Sequence, residues 1–244
     1  MLLFNLRYIA KRIVRFWRRQ LHRKNLFLLL SVIPFTGLTI AILGTWAFIE
    51  VADEVLEKQT QTLDRAILLA IEDWHRPILT FLMQSFSIIG GTIVVTLIAL
   101  GAGIFLWRRK QKVEFVAFAI TAIGGTCLNL MIKQFFDRSR PEIWEMTNKE
   151  PQTSSFPSGH AMLSLIIYGF LGYLLANHYH RWRWWIALGT ILLVSIIGFS
   201  RLYLGIHWPT DVAAGQAAGL TWLAASILGL EIRWRRDALR RKKS

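Results

Sequence analysis

The constraint that decides what this chain can fold into is a series of six apolar stretches, most of them long enough to cross a bilayer. They run Leu26–Ile49, Phe86–Trp107, Val113–Ile132, Ala161–Asn177, Trp184–Phe199 and Asp211–Leu230. A helix needs about 20 apolar residues to span the hydrocarbon, so the fourth and fifth stretches must borrow length from their flanks. Hydrophobic residues make up 54% of the 244, and mean hydropathy is +0.40. A water-soluble domain of this size does not carry that composition. The alternating pattern of a membrane barrel is absent, which leaves helices as the spanning element. The expected fold is therefore all-α: a polytopic membrane protein of six transmembrane helices.

A net charge of +14 raises the question of nucleic acid, and the placement of the charges answers it. Residues 1–25 hold eight Lys/Arg, Arg108–Lys112 holds four, Arg181 and Arg183 flank the fourth connection, and seven follow Leu230. Between Glu50 and Ser85 there are instead seven acids and three bases. Basic connections thus alternate along the chain, which puts both termini in the cytoplasm and leaves no basic face for nucleic acid. Ten of the eleven tryptophans lie near predicted span ends, as an interfacial belt requires.

The basic N-terminal run is too long, and Leu26–Ile49 too extended, for an ordinary signal peptide, so an uncleaved anchor is expected. Within 1–25, Leu2, Leu6, Ile9, Ile13, Phe16 and Trp17 recur at helical spacing opposite Arg7, Lys11, Arg15 and Arg18. Two readings remain open there: an amphipathic helix on the anionic inner leaflet, or a solvated basic tail. The expected organisation is a basic cytoplasmic segment over 1–25, a transmembrane domain over 26–230 and a basic cytoplasmic tail over 231–244. In 50–85, Leu63, Ile67, Leu68, Ile71 and Trp74 form a stripe, with Pro77 as a break. This predicts a periplasmic helix against the membrane surface. The single cysteine, Cys127, excludes an intramolecular disulfide.

Chemistry concentrates in three stretches at span ends. The first runs from Lys133 to Arg140 and Pro141. The second is Pro157-Ser158-Gly159-His160. The third is Ser200-Arg201, then His207 and Asp211. With the termini inside, all three fall at one depth on the outward side, where the charge bias disfavours cations. Lys133 and Arg140, seven residues apart and so one face-repeat of a helix, suit a point charge beside a forked guanidinium, a clamp for phosphate oxygens. Taken alone, Lys133 also reads as an interfacial lysine that snorkels to the headgroups. Asp137 and Arg138 between them are expected to pair with each other. Ser158 is a natural N-cap, and Gly159 lets backbone N–H groups approach an anion at a helix start. His207 and Asp211 sit across Pro209, which favours a tight turn into the last helix. In that geometry, or on a shared helical face four residues apart, a carboxylate takes one ring N–H and leaves the other nitrogen free as a nucleophile. A buried structural network is the alternative reading of the same residues.

These stretches match the K-x6-R-P, P-S-G-H and S-R-x5-H-x3-D signature, and the chain resembles the type 2 phosphatidic acid phosphatases, which share a core with the vanadium haloperoxidases. The resemblance covers roughly residues 86–230 and departs at no signature position. It implies that His207 attacks phosphorus to form a phosphohistidine, that Asp211 orients it, and that His160 protonates the leaving group and later activates water. It also implies that Lys133, Arg140 and Arg201, with Ser158 and Gly159, bind the phosphate oxygens. Fixed cations stabilise equatorial charge without a metal; no cofactor and no metal are expected. The expected function is an integral membrane lipid phosphatase acting on phosphatidylglycerol phosphate, undecaprenyl diphosphate or phosphatidate. A lipid phosphotransferase and a non-catalytic lipid-phosphate binding or transport protein are the rival readings. The expected partners are the lipid substrate and the bilayer, with no nucleic acid and no obligate protein. The expected location is the cell (inner) membrane, with the site on the periplasmic side.

Overall fold

The computed structural model describes residues 35–141, 143 and 153–241. Its elements are α1 (Phe35–Leu56), α2 (Gln61–Glu72), α3 (Pro77–Ile89), α4 (Thr92–Arg108), α5 (Lys112–Phe135), α6 (Gly159–His178), a 3-10 turn at His180–Trp182, α7 (Arg183–Tyr203) and α8 (Pro209–Arg241). Among the described residues there is no strand. Among the described residues five helices are long and apolar enough to cross a membrane by themselves, and the bent pair α3–α4 passes the same test together, giving six if it counts as one span. The all-α, multi-pass expectation holds.

The span limits differ from the sequence reading in instructive ways. The second stretch is not one helix from Phe86. Apolar helix begins at Pro77, whose missing N–H is harmless at a first helical position. The chain then breaks at Gly90-Gly91 and bends by 48° into α4. The first helix continues past Ile49 to Leu56, because Glu50 to Glu54 are tolerated in helix once clear of the hydrocarbon. Its expected start at Leu26, like the amphipathic pattern within 1–25, lies outside the described residues. The last helix passes the expected end at Leu230 and runs 33 residues, roughly 50 Å at ~1.5 Å per residue. The i,i+4 pairs Glu231–Arg235 and Arg233–Asp237 support that extension.

The core lies along α6, which packs between α8, α7, α5 and α4. Met162, Ile166, Ile167 and Phe170 of α6 meet Phe118 of α5 and Ala218 and Leu223 of α8. A side chain at Gly215 would stand 2.7 Å from the carbonyl oxygen of Ser158, so the first turns of α6 and α8 touch backbone to backbone. Small residues permit such approaches between membrane helices. The outer faces carry exposed Leu38, Ile42, Trp46, Ile93, Leu97, Ile120, Ile191 and Leu192. Exposed apolar surface on this scale belongs against lipid, not water.

On α2 the buried ridge is Thr60, Asp64, Leu68 and Ile71. The expected stripe is therefore only partly right: Leu63 and Trp74 are exposed, and a carboxylate occupies the inward face. Ile71 packs with Met83 of α3 and with Tyr203, Leu204 and Ile206, seating α2–α3 over the C-terminal end of α7.

Candidate active site

The three motifs meet at one end of the bundle, where α5 and α7 finish and α6 and α8 begin. α5 ends at Phe135, and Phe136 is extended, so Lys133 and Arg140 do not share a helical face. The extended segment after α5 folds back instead. The ring of Phe136 stacks at 4.4 Å on Phe156, and the Ser155 N–H bonds the Arg138 carbonyl at 2.9 Å. Lys133 Nζ donates to the Ser154 carbonyl at 2.6 Å. It also lies beside the first residue of α6, since a side chain at Gly159 would come within 4.0 Å of Lys133 Cε.

The spacing in the third motif has a local cause. After α7, Gly205 adopts φ 65, a left-handed conformation that glycine accepts without strain. The chain turns there, and the N–H groups of Ile206 and His207 return to the Arg201 carbonyl at 3.0 and 3.3 Å. Arg201 and His207 are thereby locked together. Pro209 opens α8, and Asp211 sits in its first turn. Asp211 Oδ2 accepts from the Trp208 N–H at 2.9 Å and faces His207 Nδ1 at 3.4 Å. The opposite ring nitrogen, Nε2, lies 3.4 Å from Arg140 Nη1, which also donates to the Ile206 carbonyl at 3.1 Å.

The second motif is tied to the third by backbone: the Ser158 N–H donates to the Asp211 carbonyl at 3.0 Å. Ser158 occupies the cap position of α6, but its side chain makes no capping bond. Its Oγ is fully buried and has no hydrogen-bond partner. A buried hydroxyl without a partner is costly, so Ser158 holds the cap position without the expected capping bond and keeps a free hydroxyl beside the motif residues. His160, the second residue of α6, is faced by Arg201, His207, Arg140 and Lys133.

Burial is severe here: Arg201 is 1% exposed, His207 2%, and Asp211 and Ser158 0%. Burial pushes the His207 imidazole down to about 4; the hydrogen bond and charge of Asp211 oppose the shift, while Arg201 and Arg140 add to it. His207 is therefore neutral at ordinary pH, with one nitrogen held by a carboxylate and the other beside a guanidinium. That arrangement can present a lone pair to an electrophilic phosphorus. Among the described residues, no group of three His, Cys, Asp or Glu side chains is placed to hold a metal ion.

Several contributors escape the motifs. Arg138 does not pair with Asp137; it bonds Asp211 and, from α2, Asp64, both at under 3 Å. Long-range partners override sequence neighbours here, because two buried carboxylates need a cation more than the exposed Asp137 does. Ser87 of α3 accepts a hydrogen bond from Arg201 Nη1. The α3–α4 break walls the site, since a side chain at Gly91 would stand 3.6 Å from His160 Nε2. Tyr168 of α6 holds that break by donating to the Ile89 carbonyl at 2.7 Å. A carboxylate on the apolar face of α2 and the Gly90-Gly91 pair, a common turn signal, are the readable signs of these contributors; Ser87 gives none.

An all-helical multi-pass bundle with buried cations and histidines gathered at one end of its spans defines a membrane enzyme acting on phosphate esters. Residues 114–235 match the PAP2 superfamily, and the chain belongs to that family of membrane phosphatases, as its resemblance implied. The chain is 29% identical over 182 residues to phosphatidylglycerophosphatase B of Bacillus subtilis, covering 71% of this chain and 86% of that relative. It is 28% identical over 132 residues to an undecaprenyl-diphosphatase of Sulfolobus acidocaldarius, covering 53% of this chain and 59% of that one. The crystal structure of a transmembrane PAP2-type phosphatidylglycerolphosphate phosphatase from Bacillus subtilis superposes with a TM-score of 0.71 at 25% identity. It covers 79% of this chain and 96% of the other.

Proposed function

We propose that this membrane phosphatase removes the terminal phosphate of a lipid phosphate or diphosphate through a phosphohistidine at His207. The observation that carries the reading is the line Asp211–His207–Arg140, with Nδ1 toward the carboxylate and Nε2 toward the guanidinium. Nε2 attacks phosphorus; the bond from phosphorus to the lipid oxygen breaks, and His160 gives that oxygen a proton. His160 then takes a proton from water as the water oxygen attacks phosphorus, the P–N bond breaks, and phosphate leaves. Lys133, Arg140 and Arg201, with the Ser158 hydroxyl and the Gly159 backbone, receive the non-bridging oxygens, where charge spreads in the transition state. Fixed cations make a metal unnecessary in this scheme. The neutral His207 imidazole is the nucleophilic form, so the acid limb of kcat/KM falls as pH drops through about 4, while loss of the proton that His160 must donate sets a separate basic limb.

The surroundings of the site support a lipid substrate. A cleft of about 520 Å³ between α4 and α5, lined by Thr92, Val95, Ala99, Gly103, Phe118 and Thr126, begins beside Gly91 and descends through apolar surface. It gives a lipid tail a sideways path while the terminal phosphate meets the cations. Phosphatidylglycerol phosphate, undecaprenyl diphosphate and phosphatidate have this form; a phosphodiester has one charge fewer and a second substituent to fit. Alternating basic connections put both termini in the cytoplasm and the site on the periplasmic side of the inner membrane.

Purified protein assayed for phosphate release from these three lipids, phosphatidylglycerol and glycerol phosphate tests the reading. Release from one or more of the lipid phosphates, unaffected by EDTA and inhibited by vanadate, is expected, because five-coordinate vanadate mimics the transition state. Glycerol phosphate should be slow, lacking the apolar anchoring that positions the reacting group. Equal rates for glycerol phosphate and the lipid phosphates, or loss of activity in EDTA restored by a divalent ion, would contradict it.

A further inference from the structure

The carboxylate that faces His207 is held by residues far from it in sequence, and the arrangement does more than fill space. Asp211 uses one oxygen for the turn: Oδ2 accepts the Trp208 N–H and faces His207 Nδ1. Its other oxygen, Oδ1, accepts from Arg138 Nη1 at 2.7 Å. The second arm of that guanidinium, Nη2, reaches Asp64 Oδ2 of α2 at 2.6 Å, with Thr60 Oγ1 at 3.1 Å. Asp64 does not stop there. Its Oδ1 accepts the Thr210 N–H at 3.0 Å, and its Oδ2 accepts the Thr210 hydroxyl at 2.7 Å. Thr210 is the residue before Asp211, in the first turn of α8. Asp64 therefore caps, from another helix, the very turn that carries Asp211.

Electrostatics gives this bridge its weight. Asp64 and Asp211 are both 0% exposed, and Arg138 is 13% exposed between them. Two buried carboxylates sharing a turn repel each other strongly unless a cation is placed between them. A planar fork can serve both at once; an ammonium cannot hold both in the same geometry. The ring of Trp208 lies 5.7 Å from the Arg138 guanidinium carbon, and its indole N–H donates to the Ser139 carbonyl at 2.9 Å, so the fork itself is held in place.

We propose that Arg138 and Asp64 are positioning residues of the site: Arg138 fixes Asp211 and shares its negative charge, and Asp64, on the outward helix α2, fixes Arg138 and the first turn of α8. The inference rests on the reading of His207 as nucleophile and assigns α2 a part in the chemistry that no motif residue carries. Neither residue touches phosphate. Their effect passes through the orientation of His207 and through the field it feels.

The charged and titratable groups facing His207 are Asp211 from α8, Arg201 from α7, Arg140 from the segment after α5 and His160 from α6. The nearby contributors from α3 and α4, Ser87 and Gly91, are uncharged. Removing Arg138 leaves the Asp211 charge less shared, which favours the imidazolium form of His207. The acid limb of kcat/KM then moves to higher pH, toward neutrality. A residue that merely packed α2 against the bundle would change thermal stability and leave that limb where it is.

The test compares wild type, Arg138→Gln, Arg138→Lys, Asp64→Asn and the double variant Asp64→Asn/Arg138→Gln, each full-length in detergent, on phosphatidylglycerol phosphate across pH. The expected result is a kcat loss of at least tenfold for Arg138→Gln with KM within about twofold, and an acid limb displaced upward. Arg138→Lys should recover only part of the rate. Asp64→Asn should lose severalfold, and the double variant should be no worse than Arg138→Gln alone, because the two residues act as one unit. Should Arg138→Gln fail to fold, Arg138→Lys and Asp64→Asn carry the same comparison. Unchanged kcat and an unmoved acid limb in the variants that fold overturn the inference while leaving the phosphatase reading intact. A wild type that releases no phosphate from any lipid phosphate overturns both.

Discussion

The two ends of the same helices solve opposite problems. At the site end, Asp64, Arg138, Arg201, His207 and Asp211 are buried or nearly so, and each is bound to partners from other segments of the chain. At the far end the polar contacts between helices are, among the described residues, only half-buried: Tyr173 with Glu231, and the Trp234 indole with Glu114 at 2.8 Å. Arg233 and Arg236 of that end are exposed. Between the two ends lies the apolar packing along α6. Burying charge is expensive, and in this molecule it is concentrated where phosphorus chemistry is proposed. The far end needs only to be stable.

The largest separation between the ends is expected from Asp211→Asn. An amide keeps the shape and loses the charge that stabilises imidazolium and fixes the tautomer, and the loss in kcat should reach about 10³- to 10⁴-fold. A loss under tenfold would show that His207 does not depend on this carboxylate. Gly215→Ala acts on the packing beneath the site. Its new methyl would meet the Ser158 carbonyl at 2.7 Å, and overpacking of that kind costs about 1–3 kcal/mol. Thermal unfolding in detergent should show the drop; because the contact is to Ser158, kcat should fall as well. Tyr173→Phe at the end far from the site should be the mildest. One part-buried hydrogen bond is worth about 1 kcal/mol, and turnover should stay within about twofold of wild type. A large kinetic loss there would erase the contrast between the ends.

The sequence made the spans and the three motifs legible for physical reasons. Apolar length is read directly, and the motif residues are local patterns whose spacing a turn imposes: Gly205 and the return of His207 to the Arg201 carbonyl give the five intervening residues. What stayed hidden depends on distance along the chain. Asp64 and Asp211 are brought to one guanidinium by tertiary packing, and no periodicity in either segment announces the other. From sequence alone only the neighbour Asp137 is visible as a partner for Arg138. The Gly90-Gly91 break sits inside an apolar run, where hydropathy carries no sign of a bend, yet it brings Gly91 beside His160. Ser158 was read as a helix cap from its residue type, and only the packing around it reveals a hydroxyl without a partner.

The central claim is the covalent intermediate at His207. Rapid quenching of the enzyme with a lipid phosphate carrying a labelled terminal phosphate, followed by peptide mapping, tests it most directly. The account predicts label that survives alkali and is lost in acid, as a phosphorus–nitrogen bond requires, on the peptide containing His207. It also predicts no label and no turnover in His207→Ala that still inserts and folds. Label on any other residue, or phosphate release at near wild-type rate by His207→Ala, would contradict it.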